Sequence, residues 1–136
     1  AETVNFNSPA GGNIQALLVD DVAMNLKVLQ AMLKKMNVSC ILAESAEEAL
    51  ELLRKGRRAD IILTDLWMPG LSGSAFADLL KQNEATAKMP AVAVTADTQM
   101  PAEEAVKFRQ VLTKPITRQA LIDAFKTYNL HISVQN

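Results

Sequence analysis

The sequence is short of several residue types, and each shortage excludes a class of protein. Cys40 is the only cysteine, so an internal disulfide is impossible and nothing indicates a secreted, disulfide-stabilised fold. His131 is the only histidine and lies in the polar C-terminal segment, where we expect no functional role. No apolar run approaches the roughly twenty residues that span a bilayer, and no signal-peptide pattern is present. We therefore expect a cytoplasmic protein whose folded part makes no membrane contact.

The sequence also lacks a marked excess of charge of either sign. Fourteen lysine and arginine residues face fifteen aspartate and glutamate residues, which gives a net charge of −1. This balance supplies no basic field that would attract nucleic acid, so direct nucleic-acid binding is not expected. With 49% hydrophobic and 21% charged residues in a chain of 136, the composition is that of one soluble globular domain.

Composition also sets the expected domain limits. Residues 1–13 are small, polar and rich in proline and glycine, which is typical of a linker or an expression remnant. We expect the folded domain over residues 14–128, followed by a short tail at 129–136. We further expect the chain to be a piece of a longer protein.

Five short runs of apolar and β-branched residues are predicted to be strands. Four of the five do not alternate apolar with polar side chains, so they suit strands that are buried on both faces of a parallel sheet. The run that contains Cys40 is mixed, and its thiol is predicted to be buried and unreactive. The predicted strands are residues 16–19, 39–43, 61–64, 91–95 and 111–113.

Helical patterns separate these runs. In the first pattern, five apolar residues recur at the three- and four-residue spacing of one buried face. They are Val28, Leu29, Met32, Leu33 and Met36. The predicted helices lie between residues 23 and 36, 45 and 56, 73 and 82, 101 and 108, and 117 and 128. The regular alternation of strand and helix predicts an α/β fold, a doubly wound parallel sheet covered by helices on both faces.

Polar residues stand at the carboxyl ends of the predicted strands. Asp20 and Asp21 follow the first strand and Asp65 the third, whereas Thr95 ends the fourth and Lys114 follows the fifth. In a parallel sheet these ends share one edge, where ligands of α/β proteins bind. Three neighbouring carboxylates repel one another, and a hard divalent cation such as Mg²⁺ relieves that repulsion through oxygen ligands. The edge offers neither thiolate nor imidazole, which favours Mg²⁺ over zinc.

The order of these residues resembles the response-regulator receiver family, the CheY-like domains. The resemblance depends on four motifs, each at the end of its own predicted strand. They are Asp20-Asp21, the segment D-L-W-M-P-G-L-S-G at 65–73, Thr95-Ala96 and Lys114-Pro115. Each motif is common alone, whereas all four in this order are specific. The resemblance covers residues 14–128 and implies a receiver domain with a five-stranded, flavodoxin-like sheet in the strand order 2-1-3-4-5.

The resemblance assigns a role to each residue of the phosphoryl site. Asp65 resembles the phosphoacceptor, a carboxylate nucleophile that forms an acyl phosphate. Lys114 resembles the lysine that pairs with the bound phosphate, and Thr95 the residue whose hydroxyl turns toward that phosphate and reports it to the rest of the domain. The implied donor is a phosphohistidine on a histidine kinase or on a histidine phosphotransfer domain.

The same resemblance implies that Mg²⁺ is bound beside the phosphoacceptor. Asp21 and Asp65 are the implied ligands together with the backbone carbonyl of Trp67, and Asp20 is implied to act through a water. The cation neutralises charge on the phosphoryl oxygens in transit, which is most of the catalysis that such a transfer needs. The domain implied in this way is no free-standing enzyme: it promotes its own phosphorylation and then switches conformation.

Two other functions stay open at the level of the sequence. An aspartyl-nucleophile phosphohydrolase of the haloacid-dehalogenase type would carry its nucleophile after the first strand in a D-x-D motif, whereas Asp20 and Asp21 form a plain pair. A pseudo-receiver would bind partners without phosphorylation and would not need the complete set of edge residues. Both alternatives are disfavoured.

Three features depart from the family pattern. Trp67, the only tryptophan, lies two residues after the phosphoacceptor. Its ring either packs as a partly buried loop anchor or overhangs the acyl phosphate and slows attack by water. The segment 97–110 is shorter than usual, which predicts a short or mobile fourth helix. Val111 occupies the usual place of an aromatic switch residue, so the threonine lacks its usual relay partner unless Phe108 replaces it.

The origin of the domain is indicated by two short segments. Residues 21–25 (Asp-Val-Ala-Met-Asn) and 114–116 (Lys-Pro-Ile), together with the N-terminal linker, resemble receivers attached to hybrid sensor histidine kinases. In such a protein the donor is a histidine of the same polypeptide or of a phosphotransfer domain. The receiver then belongs to the cytoplasmic part of a membrane-anchored kinase. The alternatives are a stand-alone regulator and one with a DNA-binding domain.

Overall fold

The computed structural model describes residues 14–96 and 100–128, and within them strand and helix alternate five times. The elements are β1 (Ile14–Val19), α1 (Ala23–Lys34), β2 (Val38–Ala43), α2 (Ala46–Arg54), β3 (Ile61–Asp65), α3 (Gly73–Gln82), β4 (Ala91–Thr95), α4 (Ala102–Ala105), β5 (Gln110–Thr113) and α5 (Arg118–Thr127). The predicted linker at 1–13 and the predicted tail at 129–136, which contains His131, lie outside the described residues.

The five strands form one parallel sheet in the order β2-β1-β3-β4-β5. This is the strand order that the family resemblance implies, and the predicted fold class is confirmed. β1 and β3 lie in the middle of the sheet with neighbours on both sides. Their continuous apolar sequences follow from this position, because both faces of a central parallel strand are covered by helices.

Two hydrophobic clusters hold the sheet between them. Successive side chains of a strand point to opposite faces, so Leu18 contributes to one cluster and Leu17 to the other. The first cluster includes Phe125 of α5 and side chains of α1, and the second includes Phe76 of α3 and side chains of α2. Burying a side chain of this size stabilises the fold by about 1.5–3 kcal/mol. The two layers thereby fix the carboxyl ends of the strands relative to one another.

Helix α1 differs from its prediction in its end and in its buried face. It ends at Lys34 rather than near residue 36, because Asn37 adopts a φ of 62° that an α-helix cannot continue. Val28, predicted to be buried, is 53% exposed, and Leu26 is buried in its place. Leu26 and Leu33, two turns apart, define the face on the sheet, and Val28 lies about 200° around the helix from Leu26.

Helix α4 is short, as predicted, and shorter than the segment 101–108 proposed for it. Pro101 is its N-cap and the helix consists of residues 102–105. The chain then turns into the sheet, because the Arg109 N–H donates to the Ala91 carbonyl at 2.9 Å. The Lys107 ammonium also holds this turn, since it lies within 3.0 Å of a serine and an aspartate of α3.

The single cysteine lies within the sheet and not at its functional edge. Cys40 is on β2 and is partly buried, and burial raises the pKa of its thiol to about 11. The thiol therefore stays protonated near neutral pH, which agrees with its predicted lack of reactivity. None of the helices in the described residues is long and apolar enough to cross a membrane.

Candidate functional site

The register of the sheet brings the predicted site residues to one edge. Val19 of β1 is paired with Thr64 of β3, so the residues that follow them, Asp20 and Asp65, leave the sheet side by side. Asp65 in turn pairs with Val94 of β4. Side chains that are 45 residues apart in sequence therefore lie at neighbouring strand ends, as the predicted topology requires.

Three carboxylates meet at this edge. Oxygens of Asp20, Asp21 and Asp65 all lie within 4.8 Å of one another. Asp20 is buried, Asp65 is partly buried and Asp21 is exposed to solvent. The group is therefore accessible to solvent at Asp21.

The buried carboxylate is held in one orientation by its neighbours. The Val22 N–H donates to Oδ1 of Asp20 at 2.9 Å, and Nδ2 of Asn25 donates to Oδ2 at 3.2 Å. The backbone N–H of Asp20 donates to the Ala43 carbonyl at 3.1 Å, which continues the pairing of β1 with β2. A buried carboxylate needs such hydrogen-bond donors to offset the loss of its hydration. Asn25 belongs to the segment 21–25 that resembles hybrid-kinase receivers, and its contact with Asp20 was not predicted.

The ammonium of Lys114 lies between two of the three carboxylates. Its Nζ is 3.4 Å from Oδ2 of Asp20 and 3.9 Å from Oδ1 of Asp65. The backbone places it there, because the Lys114 N–H donates to the Thr95 carbonyl at 2.8 Å. The structure therefore places this lysine next to the acidic group, where the predicted strand ends put it.

The carboxyl group of Asp65 is less acidic than an ordinary aspartate. Desolvation by burial is the largest cause that raises its pKa, and the charges of Asp20 and Asp21 raise it as well. The Lys114 ammonium and the Leu66 N–H, which donates to Oδ1 at 2.8 Å, act in the opposite direction. The group is therefore more basic than a free carboxylate, and a nearby cation is expected to lower its pKa.

The loop between β3 and α3, residues 66–72, forms one wall of the site. Leu66 and Met68 are buried in the second cluster, whereas the side chain of Trp67 between them is 59% exposed. The predicted partly buried anchor is therefore wrong, because Leu66 and Met68 occupy the inward positions of the loop. The Gly73 N–H closes the loop by donating to the Leu66 carbonyl at 3.0 Å.

Gly73 permits a close approach of α3 to the end of β3. A Cβ at this position would clash with the Asp65 carbonyl oxygen and would lie 2.9 Å from the Leu66 Cα, both of them backbone atoms that cannot rotate away. We predict that Gly73→Ala lowers the free energy of unfolding by about 1–3 kcal/mol, the usual cost of overpacking. Urea denaturation of Gly73→Ala and of wild type measures the effect. Equal stability of Gly73→Ala and wild type would contradict the close approach.

Thr95, the remaining residue of the predicted phosphoryl site, lies at the same edge. Thr95 ends β4, is fully buried and is paired with Thr113, the residue before the lysine. Phe108 is buried in the second cluster, and Val111 packs against the same cluster. The place of the aromatic switch residue is therefore filled by an aliphatic side chain.

One contact to the loop 66–72 was not predicted from the sequence. Glu47 of α2 accepts a hydrogen bond from the Leu71 N–H.

The chemistry of the donor set fits a hard divalent cation. Among the residues that the structure describes, the three aspartates form the one group of carboxylate, imidazole or thiolate side chains close enough to share a metal ion. All of its ligand atoms are oxygens, which suit Mg²⁺ and disfavour zinc or copper. The positive charge of the Lys114 ammonium beside them suits an anionic partner of that cation.

Comparison with known proteins identifies the class. The family described as the response regulator receiver domain matches residues 16–126, and the chain belongs to this family. It is therefore a receiver domain of the kind that serves two-component signal transduction.

Individual relatives agree with this assignment. The chain is 30% identical over 115 residues to the polar-differentiation response regulator DivK of Brucella ovis. This match covers 82% of this chain and 93% of that protein. It is 41% identical over 63 residues to the two-component response regulator ORR42 of Oryza sativa subsp. japonica, but this match covers only 46% of the chain and 48% of that protein.

Solved structures show the same fold. The receiver domain of the sensor histidine kinase PA1611 from Pseudomonas aeruginosa PAO1, described with a magnesium ion coordinated in its active-site cleft, has a TM-score of 0.78 at 26% identity and covers 86% of this chain and 98% of that one. The chemotaxis protein CheY4 of Vibrio cholerae, at 20% identity, has the same TM-score, with coverage of 86% and 99%.

Proposed function

We propose that this receiver domain accepts a phosphoryl group from a phosphohistidine onto Asp65 in a reaction that requires Mg²⁺, and that it then switches conformation. The observation that carries the proposal is the meeting of three carboxylates with one ammonium at the strand ends, where Asp20, Asp21 and Asp65 lie within 4.8 Å and Lys114 within 3.9 Å of two of them.

The covalent step is a displacement at phosphorus. A carboxylate oxygen of Asp65 attacks, a P–O bond forms, and the P–N bond to the donor imidazole breaks with its electron pair leaving on nitrogen, which is protonated. The Leu66 N–H donates to Oδ1 of Asp65 at 2.8 Å and helps to hold the nucleophilic carboxylate in place. The product is an acyl phosphate on this side chain.

Asp21, Asp65 and the backbone carbonyl of Trp67 are the residues that would hold Mg²⁺, with Asp20 acting through a water. When bound, the cation supplies neutralisation of the phosphoryl oxygens and orients them for transfer. The description of the receiver of PA1611 with magnesium in its cleft supports this part of the proposal. The Val22 N–H and the Asn25 amide donate to Asp20 and hold its carboxylate in one orientation.

Lys114 and Thr95 are proposed to respond to the phosphoryl group. The ammonium of Lys114 already lies between Asp20 and Asp65, and a phosphate on Asp65 offers it a stronger partner than either carboxylate. Thr95 is buried at the end of the neighbouring strand, one residue in register from the lysine. A turn of its hydroxyl toward phosphate would repack residues around it, and Phe108 is proposed to take part in place of the missing aromatic relay.

A surface beside the site suits the donor. A groove of about 440 Å³ begins at Asp20 and Lys114 and runs between α1 and residues 115–116, which precede α5. Most of its lining is apolar. Met24 and Val28 of α1 are exposed, as is Val22 just before this helix, and Val28 lines the groove. We propose that a helix carrying the phosphohistidine docks here, as part of a histidine kinase or of a phosphotransfer domain. The likeness to the receiver of a sensor histidine kinase supports an origin in a hybrid kinase.

Incubation with acetyl phosphate and Mg²⁺ separates the candidate functions. The proposed receiver acquires one phosphoryl group per chain, seen by intact-mass measurement. An aspartyl phosphohydrolase would release phosphate in many turnovers without a stable adduct. A pseudo-receiver would show neither labelling nor turnover. Either of the last two results would overturn the proposal.

Trp67 is proposed to prolong the life of the aspartyl phosphate. Its ring is 59% exposed in the loop that follows Asp65, where it can cover the phosphoryl group from attacking water. We predict that Trp67→Ala hydrolyses its phosphate roughly tenfold faster, since access of water to the phosphorus is no longer restricted. Decay of the labelled protein after removal of the donor measures this. Leu79→Ala, which shortens an exposed apolar side chain of α3, serves as the control, and equal decay rates for Trp67→Ala and wild type would remove the hypothesis.

A further inference from the structure

The two halves of the loop 66–72 are held in different ways. Its near half is fixed by the buried side chains of Leu66 and Met68. In its far half, the Leu71 N–H donates to Oε2 of Glu47 at 3.2 Å, across 24 residues of sequence. Glu47 belongs to the first turn of α2 and takes no part in the acidic group described above.

Gly70 shows how closely this carboxylate approaches the loop. A Cβ at position 70 would lie 2.8 Å from Oε2 of Glu47, and the backbone there has a φ of 77°, which glycine adopts most easily. The Leu71 N–H supplies the donor, and the absence of a side chain at Gly70 leaves space for the Glu47 carboxylate.

The helix that presents Glu47 is itself firmly placed. Ser45 caps α2 by accepting a hydrogen bond from the Glu48 N–H at 2.9 Å, and Ala46 and Ala49 are fully buried against the sheet. The side chain of Glu47 therefore extends from a fixed scaffold toward a loop that has no regular secondary structure of its own.

We infer that Glu47 is a positioning residue, which pins the far half of the phosphoacceptor loop to α2 and thereby orders the loop for cation binding. The inference deepens the proposed function and rests on it in one respect, the use of the Trp67 backbone carbonyl as a ligand. A carbonyl on a mobile loop must be ordered when the cation binds, and that ordering opposes binding. A loop that is already held at Leu71 loses less conformational entropy when the cation binds.

The first arm of the test uses the protein without cation or phosphoryl donor. In Glu47→Ala the amide of Leu71 is expected to exchange with solvent about tenfold faster, as for a lost hydrogen bond to a charged acceptor. Glu47→Gln keeps an acceptor oxygen and is expected to stay within about threefold of wild type. Glu51→Ala removes the same charge from an exposed position of the same helix and is expected to change nothing at Leu71.

The second arm is a Mg²⁺ titration followed by the fluorescence of Trp67, the only tryptophan, which lies in this loop. Glu47→Ala is expected to bind Mg²⁺ about three- to fivefold more weakly, whereas Glu47→Gln and Glu51→Ala bind it nearly as wild type does. Equal weakening in Glu47→Gln and Glu47→Ala would show that the charge acts through space, and it would overturn the inference. Unchanged exchange at Leu71, or faster exchange with unchanged Mg²⁺ affinity, would overturn it too.

These outcomes are separable from failure of the proposed function. Amide exchange and Mg²⁺ affinity are measured without any phosphoryl donor. If Asp65→Asn kept its labelling, the proposed function would fail while the pinning of the loop by Glu47 would stand. If Glu47→Ala left both readouts at their wild-type values, the inference would fail while labelling of Asp65 would be untouched.

Discussion

Asp65→Asn is expected to abolish labelling by acetyl phosphate in the presence of Mg²⁺. The amide is nearly the same size as the carboxylate, but its oxygen carries no charge and is a poor nucleophile, so no acyl phosphate forms. The substitution also removes one of the three cation ligands at the edge of the sheet. Intact-mass measurement of the variant should show only the unmodified chain after an incubation that labels wild type fully.

The matched control is Asp123→Asn on the exposed side of α5, far from the carboxyl edge of the sheet, which is expected to label as wild type does. Labelling of Asp65→Asn at the wild-type level would contradict the assignment of the phosphoacceptor. Loss of labelling in both variants would show that the readout reports something other than chemistry at residue 65.

The same variant is expected to be more stable than wild type at neutral pH. Burial and the charges of Asp20 and Asp21 raise the pKa of Asp65 in the folded protein, so its ionisation is disfavoured there relative to the unfolded chain. Stability therefore falls as the pH rises from the unfolded pKa through the raised folded pKa, and the full penalty is present above it. Thermal melts should show Asp65→Asn above wild type at pH 7, with the difference vanishing in acid. This also checks that the variant is folded.

Lys114→Met is expected to slow labelling by roughly a hundredfold, the usual effect of removing one group that stabilises charge developing in a transition state. Its Nζ lies 3.9 Å from Oδ1 of Asp65 and 3.4 Å from Oδ2 of Asp20, so it is the one cation that contacts both in the described residues. Methionine keeps most of the length of the side chain and none of the charge. The initial rate of labelling at saturating Mg²⁺ measures the effect.

Cation binding distinguishes this role from general damage to the site. Removing a positive charge next to the carboxylates should leave the affinity for Mg²⁺ equal to or higher than that of wild type, which the fluorescence of Trp67 reports. Lys126→Met on the exposed face of α5 is the control for loss of a lysine. A labelling rate for Lys114→Met close to that of wild type would exclude a part for this lysine in the transfer.

Much of the fold follows from local patterns in the sequence. The apolar runs that became β3 and β4 are continuous because these strands are covered on both faces, and a parallel sheet then follows from the helices between them. The end of α1 was harder to predict, because it depends on the backbone of Asn37 and not on the apolar spacing. The end of α4 depends on pairing with Ala91, a contact between distant parts of the chain.

The candidate site could be predicted only in part, for a related reason. Asp20, Asp65 and Lys114 end strands, so the topology alone places them at one edge. The exposure of Trp67 could not be foreseen, because it depends on which of its neighbours turn inward. The contact of Glu47 with the loop carries no signal in the sequence, since it joins residues 24 apart on elements that pack together only after folding.

Locating the phosphoryl group within the chain tests the account most directly. Borohydride reduction converts an aspartyl phosphate into homoserine, which peptide mapping by mass spectrometry assigns to one position. The account predicts a single modified residue, Asp65, when Mg²⁺ and acetyl phosphate are present and no modification when the cation is chelated. A modification at another residue, or one at Asp65 that chelation leaves unchanged, would contradict it.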